Sequence, residues 1–275
     1  MKNRKNFLVI GNPIKHSLSP SLHNYWFQKN KINCEYKKLK INKSAIKKIL
    51  TEVRKKEIEG INVTIPFKNI IIKHLDTLRG DALKTSSVNT VYLYKKKLVG
   101  DNTDVYGFSS GVIKKISNRI KTAGIIGAGG VTSSIILALI QKGVKKIYIT
   151  NRTFSKLKIF KKKFKKIVHP VKWDDRYKLF GDVEILINVT SLGMLVQNDL
   201  KFDFSIFNKK INVVDIVYNP ENTRFLKDAR KNGHKTFTGL EMFIYQAQKA
   251  FYIWNRKKPK ITKDIYNKLR KKING

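Results

Sequence analysis

The chain of 275 residues is long enough for two ordinary domains, and its 41% hydrophobic, 11% aromatic and 28% charged residues exclude a disordered protein. Its formal net charge of +39 would attract any polyanion. The sequence nevertheless lacks zinc-finger spacing, an aromatic-rich sheet signature and a basic region that leads into heptads, so no specific nucleic-acid partner is expected.

The N-terminal residues and the cysteine content indicate where the protein works. The basic start is followed by only the four apolar residues "FLVI" before Gly11, which predicts a first strand rather than a secretion signal. No apolar run approaches the roughly 18 residues of a membrane span. Cys34 is the single cysteine, so it forms no internal disulfide, and it lacks neighbours spaced as metal ligands. We expect a cytoplasmic protein with neither a metal centre nor a membrane partner.

The first hundred residues alternate predicted strands and helices. Strands are expected in "NFLVI" (6–10) and "GINVTI" (60–65), and a helix in "PSLHNYWFQKN" (20–30). A second helix is expected after Pro66, with an apolar stripe formed by Phe67, Ile70, Ile71, His74, Leu75 and Leu78. The segment "VNTVYLYKKKLVGDN" (88–102) predicts a hairpin with strands on either side of its lysine run.

From about residue 122 the pattern becomes strand, helix, strand. The expected strands are "TAGIIG" (122–127), "KIYIT" (146–150), "VEILINV" (183–189) and "INVVDIV" (211–217), and "GGVTSSIILALIQKG" predicts a helix that ends at Gly143. This succession implies a parallel sheet with helices on both faces, within an α/β fold. We expect a first domain over 1–104, a second over 105–238, and C-terminal helices over 239–275 that pack on the first domain.

Lys68 stands in "NVTIPFK", just after a proline, where a helix is expected to begin. The start of a helix carries partial positive charge, which disfavours a cation and favours the neutral amine. That position suits a proton-transfer group, although a solvated surface lysine is the plain alternative. Asp104 in "GDNTDVYG" could hold Lys68 as one coupled unit, or could only cap the helix that follows.

Two hydroxyls in "HSLSP" (16–20) stand two residues apart and would face the same way in extended backbone. Ser19 precedes Pro20 and is also a good helix cap, a role that leaves Ser17 unexplained. Beside a helix N-terminus, the Ser17 and Ser19 pair would suit a small carboxylate ligand.

The glycine-rich segment "GIIGAGG" (124–130) stands between a predicted strand and a predicted helix. Gly127 would make the tight turn and Gly129 would allow a pyrophosphate to approach the backbone. Thr132 occupies the third fingerprint position, a departure from G-x-G-x-x-G. The complete strand, helix, strand context favours dinucleotide binding over an ordinary turn.

The residues after the next strand indicate which dinucleotide is bound. An NAD enzyme would have Asp or Glu there to accept from the ribose hydroxyl, whereas this chain has "TNRTFSK" with Arg152. A guanidinium binds a 2′-phosphate through two hydrogen bonds, so NADP is the expected cofactor. The alternative is that Arg152 is one more surface cation of a basic protein.

Taken together, the motifs resemble the shikimate dehydrogenase family nearly from end to end. The resemblance rests on "GNPIKHSLSPSLHN", "NVTIPFK", "SSVNT", "GDNTDVYGF", "GAGG", "NRT", "NVTSLGM", "DIVYNPENTRFL" and "TGLEMFIYQAQKAFYIW" in this order. It implies a substrate domain, a Rossmann-like NADP-binding domain, and NADPH-dependent, reversible reduction of 3-dehydroshikimate to shikimate in the pathway to chorismate and the aromatic amino acids. It leaves monomer and homodimer open.

The resemblance also implies a role for each matching residue. Lys68 matches the family's acid/base lysine and Asp104 its aspartate partner. The residues matched to the substrate pocket are Ser17, Ser19, Thr64, Asn89, Tyr218 and Gln246. Those matched to the cofactor site are Gly127, Ala128, Gly129, Gly130, Asn151, Arg152, Thr153, Lys156, Ile216 and Gly239. Purely structural roles are the alternative for three of them. Asn89 could cap a turn, Thr64 could be an ordinary strand residue, and Gln246 could be a polar residue within a packed helix.

The sequence departs from the family's pattern at two places. "GAGGVTSS" stands where relatives commonly have small alanines, and "SSVNT" replaces a more usual "GAVNT". Val131 and Thr132 could alter cofactor fit, whereas Asn89 is kept.

The expected mechanism holds 3-dehydroshikimate between the domains while Lys68 gives a proton to the C3 carbonyl oxygen. The close alternative is a quinate/shikimate dehydrogenase with broader substrate or cofactor use. The remote alternative is a basic nucleic-acid-binding protein on an inactive dehydrogenase fold.

Overall fold

The computed structural model describes residues 4–195 and 197–274, and it has the α/β architecture that the sequence predicts. Its α-helices are α1 (Ser19–Lys29), α2 (Ile46–Arg54), α3 (Asp81–Thr85), α4 (Asp104–Gly111), α5 (Thr132–Lys142), α6 (Lys158–Phe164), α7 (Arg176–Phe180), α8 (Arg224–Lys231), α9 (Gly239–Asn255) and α10 (Lys263–Asn274). Its strands are β1 (Lys5–Gly11), β2 (Cys34–Lys40), β3 (Gly60–Val63), β4 (Thr77–Leu78), β5 (Thr90–Tyr94), β6 (Lys97–Asp101), β7 (Thr122–Ile126), β8 (Lys146–Thr150), β9 (Val168–Val171), β10 (Ile185–Asn188), β11 (Asn212–Asp215) and β12 (Lys235–Phe237).

The chain divides into two compact units. The first unit comprises the described residues up to Gly107 together with those from Ile244 onward, and the second unit comprises Phe108–Phe243. The chain passes from one unit to the other within α4 and returns within α9. Each unit is built on its own six-stranded sheet.

The sheet of the first unit is mixed, in the order β2-β1-β3-β5-β6-β4. β1 runs parallel to β2 and β3, whereas β5 runs antiparallel to β3 and β6. The predicted hairpin is confirmed: β5 and β6 are joined at Lys95 and Lys96, whose φ angles of 47° and 63° give the left-handed turn that matches strand twist. Buried Ile61, Val63 and Val91 form part of the core beneath α2.

The prediction of a helix after Pro66 is wrong. Residues 66–70 form turns and Ile71–His74 a single short 3₁₀ turn. The backbone amides of Asp76 and Arg79 then donate to the carbonyls of Leu98 and Gly100, because β4 pairs in parallel with β6. Leu75 and Leu78 of the predicted apolar stripe therefore lie beyond the 3₁₀ turn, in or beside β4, and not on a helix.

An imidazole lies buried among aromatic rings of the first unit. His23 on α1 stacks on Tyr36 with ring centroids 4.3 Å apart and an interplanar angle of 4°. The rings of Trp26 and Trp254 also lie within 6 Å of it. Neither ring nitrogen has a hydrogen-bond partner among the described residues. Burial lowers the pKa of His23 to about 3, so this side chain is neutral in the folded protein.

The sheet of the second unit is entirely parallel, in the order β12-β11-β10-β7-β8-β9, which confirms the predicted parallel sheet. The strand order reverses at β7, whose neighbours are β10 and β8. In open parallel sheets, ligands bind outside the carboxyl ends of the strands at such a reversal. The glycine-rich segment follows β7, and α5 ends at Gly143 with a φ of 98°, as expected for a glycine cap.

None of the helices in the described ranges is long and apolar enough to cross a membrane.

Candidate active site and cofactor site

The structure brings Lys68 and Asp104 together in the first unit. The Lys68 ammonium donates to the Asp104 carboxylate, with 2.6 Å between Nζ and Oδ2. The two side chains are only 12% and 5% exposed, respectively. Such a charge-assisted hydrogen bond, shielded from bulk water, is far stronger than a surface ion pair. The pair can therefore hold an ammonium proton at a fixed position.

The surroundings of Lys68 differ from those expected, because no α-helix begins at Pro66. The helix polarity that was expected to favour the neutral amine is absent from this segment. Lys68 is instead fixed by its backbone, whose carbonyl accepts from the Val88 amide at 2.9 Å, and by the buried Phe67 beside it. The carboxylate of Asp104 is thus the feature that sets its environment.

Asp104 begins α4 without being the residue that caps it. The side-chain oxygen of Asn102 accepts from the amides of Asp104 at 3.0 Å and Val105 at 3.3 Å. The capping alternative for Asp104 is therefore wrong, because Asn102 satisfies these first amides. Both carboxylate oxygens of Asp104 are used by other side chains, Lys68 on Oδ2 and Asn89 on Oδ1.

Asn89 and Gln246 lie in the same polar cluster as the Lys68 and Asp104 pair. The Asn89 amide nitrogen donates to Asp104 Oδ1 at 2.9 Å and lies 3.5 Å from Gln246 Oε1. Thr103 connects the two residues, since its backbone amide donates to Asn89 Oδ1 at 2.8 Å and its hydroxyl lies 3.5 Å from Gln246 Oε1. Residues 157 positions apart along the chain thus contact one another.

A buried amide behind this cluster supports it. Asn62 donates to the Asn89 carbonyl at 2.9 Å and to the Thr90 hydroxyl at 3.1 Å. Tyr36 donates its hydroxyl to Asn62 Oδ1 at 2.6 Å. Sequence reasoning missed Asn62, Tyr36, Asn102 and Thr103, although Asn62 opens the "NVT" tripeptide that recurs at residues 188–190. The available signal was the asparagine at the end of each of these two predicted strands, because a polar side chain in a buried strand needs hydrogen-bond partners.

The two serines of "HSLSP" are not arranged as an extended segment. Leu18 between them has helical φ and ψ angles of −91° and 0°, so the two hydroxyls do not alternate as in a strand. Ser19 is the first residue of α1 rather than its cap, and the Ser17 hydroxyl accepts from the Ser19 amide at 3.3 Å. Ser17 therefore contacts the first amide of α1, whose N-cap residue is Leu18, while Ser19 is almost fully buried at 7% exposure.

Thr64 lies against the loop that carries these serines. The Thr64 amide donates to the Ile10 carbonyl at 3.0 Å, because β1 and β3 are parallel neighbours. A side-chain carbon at Gly11 would lie 2.4 Å from Thr64 Cγ2, so only glycine fits there. The loops that follow β1 and β3 are thus held side by side.

The glycine turn after β7 fits a dinucleotide phosphate. Gly127 has a φ of 120°, and a side-chain carbon there would lie 2.8 Å from Thr190 Cγ2. Gly129, in contrast, has open space on its Cβ side, with the nearest atom being the Val189 carbonyl oxygen at 3.9 Å. An approaching pyrophosphate needs this open backbone. Ala128 and Gly130 complete the turn before α5 begins at Thr132.

Thr132 in the third fingerprint position is accommodated inside the turn. Its side chain is fully buried and its hydroxyl lies 3.5 Å from the Gly127 carbonyl oxygen. The Gly127 amide in turn donates to the Thr150 carbonyl at the end of β8, at 2.8 Å. The turn is therefore joined to the segment that carries the predicted 2′-phosphate contacts.

That segment presents its cations to solvent. Arg152, Thr153 and Lys156 are exposed, and the Asn151 side chain donates to the Thr153 carbonyl at 3.0 Å, which tightens the turn after β8. A 3₁₀ turn over Phe154–Leu157 places Lys156 one turn further along. Exposed guanidinium and ammonium groups beside the turn fit the negative phosphates of NADP.

Gly239 and Ile216 are in direct contact. A side-chain carbon at Gly239 would lie 2.2 Å from the Ile216 carbonyl oxygen, which excludes every other residue type. The Gly239 amide donates to the Val217 carbonyl at 3.2 Å. Tyr218, the next residue, stacks on Phe243 with ring centroids 4.4 Å apart. Tyr218 therefore belongs to the second unit, whereas the other residues predicted for the substrate pocket belong to the first.

Comparisons with known proteins identify the family of this chain. A family model described as the shikimate dehydrogenase substrate binding domain matches residues 9–91, and one described as shikimate/quinate 5-dehydrogenase matches residues 112–224. This chain belongs to the shikimate dehydrogenase family. The resemblance seen in the motifs is thereby confirmed.

Individual relatives cover almost the whole chain. An NADP(+) shikimate dehydrogenase of Pelagibacter ubique is 45% identical over 97% of this chain and 99% of its own length. The crystal structure of shikimate dehydrogenase from Aquifex aeolicus has a TM-score of 0.88 at 32% identity, covering 98% of this chain and 100% of that one. The Thermus thermophilus enzyme, solved in complex with NADP(H) and shikimate, has a TM-score of 0.84 at 28% identity, covering 98% of each chain.

Proposed function

We propose that this protein catalyses the NADPH-dependent, reversible reduction of 3-dehydroshikimate to shikimate. The observation that carries the proposal is the shielded 2.6 Å hydrogen bond between Lys68 Nζ and Asp104 Oδ2, next to the amides of Asn89 and Gln246. Reduction of a ketone needs a proton donor at the carbonyl oxygen and polar groups that orient the hydroxylated ring. This cluster supplies both kinds of group.

When bound, NADPH would supply the hydride for the C3 carbonyl carbon. On the protein, Lys68 donates a proton to the carbonyl oxygen and Asp104 holds the lysine in place during the transfer. An ammonium has three N–H donors, so one can be given to Asp104 while another meets the substrate oxygen. In the reverse direction the neutral amine of Lys68 accepts the hydroxyl proton.

The substrate-binding roles follow the family's pattern. We assign the substrate carboxylate to the hydroxyls of Ser17 and Ser19, and the ring hydroxyls to Thr64, Asn89 and Gln246. By the same pattern we assign Tyr218, a residue of the second unit, to the substrate as well. The contact of Thr64 with Gly11 supports this assignment, because it holds the loop after β3 beside the loop that carries the serines.

The cofactor roles belong to the second unit. We assign the pyrophosphate to the turn Gly127, Ala128, Gly129 and Gly130, since Gly129 leaves its backbone open. The 2′-phosphate is assigned to Asn151, Arg152, Thr153 and Lys156, and the nicotinamide to Ile216 and Gly239. We accordingly propose that the first unit binds the substrate and the second unit binds NADP.

We also propose that the enzyme works in the cytoplasm. Its single cysteine, Cys34, is a buried free thiol, which is compatible with a reducing compartment. A homodimer is proposed only as an alternative to the monomer, and light scattering of the purified chain distinguishes the two by mass.

A spectrophotometric assay tests the proposed function. Oxidation of NADPH is followed at increasing concentrations of 3-dehydroshikimate, and the assay is then repeated with NADH and, in reverse, with shikimate or quinate and each oxidised cofactor. We expect turnover with 3-dehydroshikimate and a higher kcat/KM for NADPH than for NADH. Equal use of quinate would instead favour the broader quinate/shikimate activity. Absence of turnover together with tight, salt-sensitive RNA binding would favour the nucleic-acid alternative.

A further inference from the structure

Asp215 ends β11 with its carboxyl group fully buried in the second unit. Its neighbour in the parallel ladder is Asn188, the last residue of β10. Both side chains lie at the carboxyl edge of the sheet, where ligands of such folds bind. Neither residue belongs to the cofactor contacts assigned above.

The Asp215 carboxylate accepts from three separate segments. Oδ1 accepts from the Asn188 side-chain amide at 3.0 Å and from the Val217 backbone amide at 3.0 Å. Oδ2 accepts from the Thr223 hydroxyl at 2.7 Å. Thr223 is the N-cap of α8, where its hydroxyl also accepts from the Leu226 amide. One carboxylate therefore joins the end of β10, the turn after β11 and the start of α8.

On one side, this carboxylate reaches the glycine turn through Asn188. The Asn188 side-chain oxygen accepts from the Thr190 backbone amide at 3.0 Å and from the Thr190 hydroxyl at 2.7 Å. Thr190 in turn forms the wall of the glycine turn, because a side-chain carbon at Gly127 would lie 2.8 Å from its Cγ2. The bond from Asn188 to Asp215 fixes which end of the Asn188 amide faces Thr190.

On the other side, Asp215 reaches the contact between Ile216 and Gly239. The bond to the Val217 amide sets the turn in which the Ile216 carbonyl faces Gly239. The Val217 carbonyl accepts from the Gly239 amide at 3.2 Å. A shift of this turn would therefore move both residues that we assign to the nicotinamide.

We propose that Asp215 is a positioning residue for hydride transfer, which holds the Thr190 loop (188–192) and the Ile216 turn (215–217) in fixed positions around the nicotinamide end of NADP. The proposal rests on the proposed function. The Asn188 and Val217 N–H groups can only donate, so Oδ1 of Asp215 must be an acceptor, whereas the Thr223 hydroxyl, which donates to Oδ2, can also accept. Burial raises the pKa of Asp215 to about 7, while the donated hydrogen bonds lower it.

The variant Asp215→Asn keeps the shape of the side chain and removes the charge. Because the adenosine contacts of Arg152 and Lys156 are untouched, we expect the dissociation constant for NADPH and the KM for the ketone substrate to stay within about threefold, whereas kcat falls roughly ten- to hundredfold. With NADPH deuterated at the transferring position, the isotope effect on kcat should rise, since hydride transfer becomes slower. Asp203→Asn is the matched control, because Asp203 is an exposed carboxylate of the same unit that accepts from the Ser205 amide.

The pair Thr223→Val and Thr223→Ser keeps the proposal testable if Asp215→Asn does not fold. Valine removes the donor to Asp215 and should lower kcat, as Asp215→Asn does. Serine keeps the hydroxyl, so Thr223→Ser should behave as the wild type. A lower melting temperature with unchanged kcat and isotope effect would overturn the proposal. So would an increase in the KM for the ketone substrate as large as the loss in kcat.

A measurement without substrate separates this proposal from the proposed function. If the wild type does not reduce 3-dehydroshikimate, the proposed function fails, and the fluorescence anisotropy of bound NADPH still tests Asp215. We expect Asp215→Asn to lower that anisotropy at equal NADPH affinity, because the nicotinamide is held less firmly. Equal anisotropy in the wild type, Asp215→Asn and Asp203→Asn would contradict the positioning role.

Discussion

The tripeptide Asn-Val-Thr stands at one strand end in each unit, at residues 62–64 across the end of β3 and at residues 188–190 across the end of β10. Both asparagines are buried and both connect their strand to a neighbouring strand. Asn62 donates to a backbone carbonyl and a hydroxyl, whereas Asn188 donates to a carboxylate. The same three residues therefore serve two kinds of polar network.

The difference lies in how each network treats a buried carboxylate. In the first unit, Asp104 is paired with the Lys68 ammonium, so a mobile proton is held there. In the second unit, the hydrogen bonds to Asp215 come from neutral donors, so no cation among them favours its charged form, and burial raises its pKa to about 7. A charged partner makes a buried carboxylate part of acid/base chemistry, and neutral donors make it a support for backbone.

The variant Lys68→Met gives the largest expected effect. Methionine keeps the apolar part of the side chain and removes the proton, so kcat should fall by about 10² to 10⁴. Binding of 3-dehydroshikimate should change much less, as titration calorimetry would measure. Lys73→Met, a change to an exposed lysine of the same segment, is the control. Turnover within about twofold of the wild type in Lys68→Met would remove Lys68 from the chemistry.

The variants Asn188→Asp and Asn62→Asp compare the two tripeptides directly. In the second unit the new carboxylate faces Asp215, and an uncompensated buried charge typically costs about 3–5 kcal/mol in the free energy of unfolding. In the first unit the new carboxyl group is also buried, but it faces hydroxyls and a carbonyl rather than a second acid. The lost donors to the Asn89 carbonyl and the Thr90 hydroxyl should cost about 1–3 kcal/mol, and the total should stay below that of Asn188→Asp.

Urea unfolding of both variants measures this difference. The double variant Asn188→Asp with Asp215→Asn again has one amide donor and one carboxylate at the pair. Its free energy of unfolding should therefore be higher than that of Asn188→Asp alone. An equal decrease in the free energy of unfolding for the two single variants would contradict this difference between the units. It would mean that the carboxyl group of Asp215 does not add to the cost of a second acid at residue 188.

The dependence of stability on pH should show opposite signs for the two units. The pKa of His23 is lowered to about 3 in the folded protein. Below about pH 6.5 the unfolded chain therefore binds a proton at His23 that the folded chain does not bind, and the free energy of unfolding falls as the pH drops. The pKa of Asp215 is raised to about 7 in the folded protein. Between about pH 4 and 7 the folded chain therefore keeps a proton on Asp215 that the unfolded chain has lost, and the free energy of unfolding falls as the pH rises.

Each group contributes a slope of at most about 1.4 kcal/mol per pH unit. Urea unfolding between about pH 4 and 6 should therefore show that His23→Phe removes the rising contribution, whereas Asp215→Asn removes the falling one. Phenylalanine keeps the ring stacked on Tyr36. A His23→Phe variant with the same pH dependence as the wild type would show that folding does not lower the pKa of His23.

The variant Arg152→Gln should have the smallest effect, confined to cofactor choice. Removing a charge-assisted hydrogen bond to phosphate should raise the KM for NADPH roughly ten- to hundredfold and leave the KM for NADH nearly unchanged. Lys162→Gln, a change to an exposed cation of α6, is the control for the general loss of charge. Equal increases for NADPH and NADH would count against a phosphate clamp at Arg152.

Local sequence pattern was sufficient for much of this fold. The parallel strands of the second unit, the glycine turn at Gly127 and the hairpin over Lys95 and Lys96 follow from short apolar runs and from backbone preference. The family was also evident from the order of the motifs. These features depend on residues close together in the chain, so the sequence alone determines them.

Contacts between distant residues were decided only by the tertiary structure. Pairing of β4 with β6 prevents the helix expected after Pro66. The Asp104 carboxylate bonds to Lys68 and Asn89, while the side chain of Asn102 accepts from the first amides of α4. The bonds of Lys68 to Asp104 and of Asn188 to Asp215 join different elements. No local preference encodes them, because they form only when strand order brings separate chain segments to the same edge of a sheet.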